Sequence, residues 1–278
     1  MKLILNRDWE KMCREIASHH LLTQTIAETI EADVKGAIAL KHDVETAPKK
    51  AFLLAKIEHR YGIKGTYYFQ AYLLKKAKNI ALMKKMQAMG HEISYHHDVM
   101  DGNGGDLAKA TADFAAKVET FNINGFAIST VCQHGNPIVK RVGYTSNRDF
   151  FRDAKVRARF AGIYDVMVNY PEAIKRPYLY FSDAGYGWKK LHDPIDDDLV
   201  KAPEKDTPYA TLQLVLDGCQ GSRLSIISTH PHRYSRNAIS GFFSIAFRKS
   251  IRSVAKFLSK IPAFRRFFER HYDLAKKI

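Results

Sequence analysis

Apolar residues along this chain follow two rhythms. Short runs of strand length recur as GAIALK (36–41), GTYYFQ (65–70), HEISY (91–95), FAISTVCQ (126–133), GIYDVMV (162–168), YLYF (178–181), LQLVL (212–216) and RLSIIST (223–229). Each is bounded by Gly, Asp, Pro or basic residues, and their alternating or continuous apolar patterns read as strands. Between them, helical spacing predicts helices over 46–60, 72–89, 104–121 and 146–159. Thr46 is a candidate N-cap, Pro48 suits a first turn and Gly90 stops the second helix. Strands alternating with helices predict an α/β fold with a mostly parallel sheet, either doubly wound or closed into a distorted β/α barrel of about seven or eight strands.

At 278 residues, 46% of them apolar and 12% aromatic, the chain can build one large core, and barrels use this length as a single unit. From Arg236 onward the pattern changes: aromatic residues mix with basic ones, and only Glu269 and Asp273 are acidic. The expected division is a β/α unit over 1–235 and a basic amphipathic helical segment over 236–278. On a helix, Phe243, Ile245, Ile251, Val254, Phe257 and Leu258 form an apolar stripe flanked by Arg248, Lys249, Arg252, Lys256 and Lys260. Two readings stay open for it: a helix that closes the barrel with a solvated basic face, or one that lies on an anionic membrane surface.

Lys and Arg number 44 against 29 Asp and Glu, a net charge of +15 that suits acidic glycans, phospholipid headgroups or nucleic acid. No nucleic-acid-binding motif accompanies the charge, so that partner is not expected. Cys13, Cys132 and Cys219 are odd in number and scattered, which predicts neither a disulfide framework nor a Cys-pair zinc site and suits a reducing compartment. The start MKLILNRDWEKMCREI lacks the apolar core of a signal peptide, and no apolar run approaches the roughly 20 residues of a bilayer span. A cytoplasmic location is expected, with contact to a membrane surface through the basic segment as an option.

The chemistry is concentrated in histidines. Six of the twelve fall just past predicted strands: His42, His96, His97, His134, His230 and His232. Asp43, Asp183 and Asp217 hold equivalent positions. The loops after the carboxyl ends of barrel strands converge on one mouth, so this distribution predicts a site there. Imidazoles clustered with carboxylates suit a divalent ion that keeps an open position for water. His91 lies on a strand and reads as structural, and the same reading stays open for His97 and His134. Tyr186 and Trp188 of YFSDAGYGW (180–188) could stack on a sugar ring.

The stretches KHDVE (41–45), GHEISYH (90–96) and STHPHRY (228–234) resemble motifs of the NodB-like polysaccharide deacetylases, carbohydrate esterase family four. The resemblance spans most of 36–234. It implies a distorted seven-stranded β/α barrel and a divalent metal, zinc with cobalt or nickel as alternatives. IALKHDVE is similar to the family's aspartate motif and puts Asp43 on its catalytic base; GHEISYH puts His96 on the first metal-binding histidine; STHPHRY puts His230 on the general acid. Val44 stands where a second, metal-binding aspartate is expected, and Met100 where a second histidine is. His134 is the preferred replacement, giving a metal set of Asp43, His96 and His134, with Glu45, His97, Asp183 and His232 as further candidates and Asp183 suited to orient a catalytic histidine. The implied activity is metal-dependent removal of an N-acetyl group from a sugar or glycan precursor, as in capsule or lipopolysaccharide synthesis. Val44 and Met100 motivate an alternative, an inactive glycan-binding protein on the same fold.

Overall fold

The computed structural model describes residues 4–135, 139, 141–183, 188–191, 207–209 and 224–258. Twelve strands lie among the described residues: β1 (Ile4–Leu5), β2 (Thr23–Gln24), β3 (Ile38–Val44), β4 (Thr66–Phe69), β5 (Glu92–His97), β6 (Thr130–Gln133), β7 (Tyr164–Asp165), β8 (Tyr178–Ser182), β9 (Trp188–Leu191), β10 (Thr207–Tyr209), β11 (Leu224–Thr229) and β12 (Tyr234–Ser235). Seven of these, in spatial order β8, β11, β3, β4, β5, β6, β7, form a parallel sheet curled into a half-barrel. β9 and β10 extend it antiparallel beyond β8, β2 pairs with the start of β3, and β1 pairs with β12. The expected run LQLVL lies outside the described residues.

β3 is buried at all seven positions, as a central parallel strand covered on both faces should be. Successive side chains therefore enter different layers. Ala39 faces an inner cluster with Tyr68, Cys132, Tyr180 and Ile226. Ile38, Leu40 and Val44 face the helix-covered side, where two further clusters gather around Trp9, Leu54 and Ile227 and around Tyr95, Phe114, Phe150 and Phe151.

Helices cover the outer side as the spacing predicts, with local differences. The first runs Pro48–Arg60 and its N-cap is Ala47, not Thr46: Ala47 has φ 57° and contributes no capping side chain. Proline disfavours the right-handed helical region for the residue before it, so the helix starts at Pro48 itself. The second region divides into a 3₁₀ turn, Ala71–Lys75, and a helix, Ala77–Ala88. The third is Leu107–Ile123. The fourth splits into Asp149–Arg152 and Ala154–Arg159, because Asp153 is extended and its carboxylate caps Lys155 and Val156. The helices Asn6–Ser18 and Ile26–Glu31 precede every predicted element; the second carries a Thr25/Glu28 capping box.

A buried polar network ties the outer helices to the sheet. Glu58, fully buried on Pro48–Arg60, accepts hydrogen bonds from Trp9 Nε1 at 2.9 Å and Tyr67 Oη at 2.8 Å, and His42 Nε2 lies 3.0 Å away. His42 stacks on Tyr67 at 4.1 Å and its Nδ1 meets Thr229 Oγ1 at 2.9 Å. His91 accepts from the Gly65 amide at Nδ1 (3.1 Å), so its Nε2–H donates to the Ala55 carbonyl (3.0 Å), a structural placement. A Cβ on Gly65 would sit 3.0 Å from Glu58 Oε2 and 3.3 Å from His42 Nε2. Removing the carboxylate strands Trp9 and Tyr67 donors in a dry layer, which costs several kcal/mol. Glu58→Leu should lower the free energy of unfolding by about 3–5 kcal/mol, read from urea denaturation, with Glu58→Gln losing less. Equal stability of Glu58→Leu and the parent would contradict this role.

Candidate functional site

Alternation sorts the strand-end candidates into two sets. Along β3, Lys41 and Asp43 share the inner face while His42 turns outward. On β5, His96 aligns with Cys132 of β6 on the inner face, and His97 points to the helices. Glu45 and His134 follow directly after β3 and β6, and His230 after β11.

His96 is buried, and its Nδ1 lies 2.9 Å from the Cys132 carbonyl. A carbonyl only accepts, so Nδ1 carries the proton and Nε2 keeps a lone pair. Burial, only partly offset by the Asp43 anion, lowers the His96 pKa to about 4, leaving a neutral imidazole at neutral pH. His134 meets it edge-on at 5.1 Å. Its Nε2 lies 3.6 Å from Glu45 Oε1, and its Nδ1 is buried with no hydrogen-bond partner. Burial pulls the His134 pKa down, and Glu45 more than offsets that. The backbone here is held from both sides: His134 N–H donates to the His97 carbonyl at 2.7 Å, and Asn147 Nδ2 donates to the His134 carbonyl at 2.7 Å. Asn147 is fixed in turn by Asp101, which also grips Arg141 in a two-pronged pair.

Glu45 sits among three imidazoles, with His232 Nδ1 at 3.5 Å, His134 at 3.6 Å and His230 Nε2 at 3.9 Å. Burial pushes its pKa up, but the imidazoles hold it well below the usual carboxylate range. Asp43 is gripped by Lys41, whose Nζ lies 2.6 and 2.7 Å from its two oxygens and 3.3 Å from Ser228 Oγ. Burial alone would raise the Asp43 pKa; Lys41, His96 and His230 bring it to about 2. His230 donates Nδ1–H to Asp183 Oδ1 at 2.6 Å, and its backbone N–H donates to Asp183 Oδ2 at 3.0 Å. Arg233 also reaches Asp183 Oδ1, at 3.0 Å. Burial would raise the Asp183 pKa, but His230 and Arg233 lower it, so the carboxylate is anionic. His230 Nε2 is thereby aimed at the gap between Asp43 Oδ2 and Glu45 Oε1, 3.9 Å from each.

Among the described residues, two groups bring ligand atoms within 4.8 Å of one another and could hold a metal ion: the buried Asp43, His96 and Cys132, and Glu45, His96 and His134, of which Glu45 is partly exposed. The expected set of Asp43, His96 and His134 is not one of them. Glu45 completes the pair of imidazoles, and Asp43 groups with Cys132. The second group fits an ion better. Asp43 is already paired with Lys41, and burial and the Asp43 charge push the Cys132 thiol pKa up, keeping it protonated.

No family model matches the chain. No curated protein matches it either.

The His97 side chain faces away from this site. Neighbours on a strand face opposite ways, so with His96 inside, His97 bonds Asp165 at 2.6 Å among Phe114, Phe150 and Phe151. His42 is likewise committed to Glu58. His232 borders the site through Glu45 and lies 5.8 Å from His230, ring to ring. Tyr186, Asp217 and the side chain of Trp188 lie outside the described residues. Lys41, Cys132, Asn147 and Arg233 were not among the expected site residues. Lys41 stands two before Asp43 and Cys132 two before His134, spacing that shares a face on a strand. Titration with zinc should show one site that Glu45→Ala, His96→Ala and His134→Ala each weaken about 100-fold or more, since even loss of residues supporting ligands costs 10–100-fold. Cys132→Ser should bind like the parent; the reverse pattern would move the ion to the Asp43 group.

Proposed function

We propose that this protein is a metal-dependent hydrolase that removes an N-acetyl group from a sugar or glycan precursor, on a NodB-like deacetylase fold. The observation that carries the reading is the aim of His230. Held by Asp183, its Nε2 faces the space between two anionic carboxylates, beside the neutral imidazole of His96.

The donor set fits a divalent ion of the zinc type, with cobalt and nickel accepting the same ligands. His96 offers Nε2, His134 has a buried ring nitrogen without a partner, and Glu45 supplies an anionic oxygen, the two-histidine, one-carboxylate composition of open catalytic zinc sites. When bound, such an ion activates water and polarises an acyl carbonyl. The chain's own groups supply the proton transfers. Asp43, anionic and fixed by Lys41, accepts a proton as water adds to the acetyl carbon. His230, as imidazolium, gives its Nε2 proton to the departing amine while the C–N bond breaks, leaving acetate and the free amine. Asp183, bonded to Nδ1, keeps the ring in the orientation this requires, with Nε2 turned to the site. The net charge of +15 suits an anionic glycan precursor, lipid- or nucleotide-linked.

A second reading, glycan binding without turnover, is favoured by one observation: Lys41 engages both oxygens of Asp43. Acetate release from N-acetylated oligosaccharides and nucleotide-linked sugars, with zinc or cobalt supplied, decides between them. In the hydrolase, His230→Ala and Asp43→Asn each lower kcat by about 10²–10⁴; His230→Ala does so without lowering the melting temperature, whereas Asp43→Asn, which leaves the buried Lys41 without its counter-charge, lowers it as well. Undiminished turnover in both variants overturns the mechanism. Saturable glycan binding with no acetate released establishes the second reading.

A further inference from the structure

The helix Ala238–Leu258 begins eight residues after His230 and touches β12 and β1 at its start. Gly241 is buried there. Beyond it, no other described residues cover one side of the helix: Ile239, Phe242, Phe243, Phe247, Val254 and Phe257 are 72, 61, 67, 67, 57 and 67% exposed. Scattered apolar residues on a surface are ordinary, but a contiguous row of this size marks an interaction site. At 3.6 residues per turn these six positions, with Ala246 and Ser250, fall within an arc of roughly 140°. The positions of Arg248, Lys249, Arg252 and Lys256 fall on the rest of the circumference. The row differs from the expected stripe: Ile251 and Leu258 are half-buried, while Ile239, Phe242 and Phe247 join it. A helix closing the barrel would turn this row inward, and it does not.

Charge decides what covers the row. Residues 236–278 hold eleven Lys and Arg against two acidic residues, most of the excess behind the chain's +15. Two copies meeting through this helix would bring two such cationic segments together, whereas anionic headgroups neutralise one. Among the described residues no helix is long and apolar enough to cross a membrane. Apolar residues on one side and basic positions on the other are the composition of a helix that lies in a bilayer surface.

We propose that Ala238–Leu258 docks the protein on an anionic lipid surface, its phenylalanine row entering the headgroup layer and its basic positions meeting lipid phosphates. This docking is independent of the hydrolase reading. Flotation of the full chain with vesicles of equal parts phosphatidylcholine and phosphatidylglycerol tests it, with phosphatidylcholine vesicles as control and light scattering for oligomeric state. The expected result is binding to the anionic vesicles alone, weakened about tenfold or more by high salt. The triple variant F242S/F243S/F247S should lose about tenfold or more of that binding with its melting temperature and zinc affinity unchanged. Equal binding to both vesicles, or none to the anionic ones at low salt, overturns the proposal. So does a concentration-dependent dimer that the triple variant abolishes without flotation, which would assign the row to a second copy.

Discussion

A strand buried on both faces cannot choose where its side chains go; alternation chooses for it. β3 lies between β11 on one edge and β2 and β4 on the other, and its residues 41–44 enter the inner and outer layers in turn. Lys41 and Asp43 therefore face each other inside, where neither charge is tolerable alone. Removing one partner of such a buried pair leaves the other uncompensated, a loss of several kcal/mol. His42, between them, is sent outward to Glu58. The strand that supplies the mouth with an anionic carboxylate thus also supplies the outer layer with its central imidazole.

That division makes the back of the sheet part of the site's positioning. Thr229 meets His42 from the end of β11 and directly precedes His230. His230 is consequently fixed from two directions, by Asp183 and Arg233 within the mouth and by the Glu58, His42 and Thr229 chain behind it. The N-terminal helix enters the same arrangement through Trp9, whose indole N–H points to Glu58. A residue at position 9 and one at position 230 thus share a mechanical path, although nothing in their spacing suggests it.

The central strands were legible in the sequence because runs such as IALKHDV and HEISY are apolar enough on both faces to declare themselves. The two-residue strands β1 and β2 were not, since they hold too few residues to show a period. The single predicted helix over 146–159 hid its break because Asp153 reads as an ordinary polar position until its carboxylate is seen turned back on the next turn. In the site, the gathering of His96, His134 and His230 at strand ends was readable, as was Asp183 as the group that orients His230. The GHEISYH resemblance alone favours His96 over His97; the register of β5 against β6 supplies the physical reason, since it fixes which of two adjacent imidazoles faces inward. Lys41 and Cys132 went unnoticed because a lysine or cysteine within an apolar run looks like a strand boundary or plain core. Glu45 depended on where the chain turns after β3, at a left-handed Ala47 that no propensity points to.

The close approach at Gly65 has an evolutionary consequence. A methyl group there would press on Glu58 and His42 together, and Gly65 also donates to His91. Position 65 is therefore tied to 58 and 42: a larger residue there becomes acceptable only in a background where the carboxylate at 58 has already shortened or withdrawn. Related chains should keep glycine at 65 wherever Glu58 and His42 are both present.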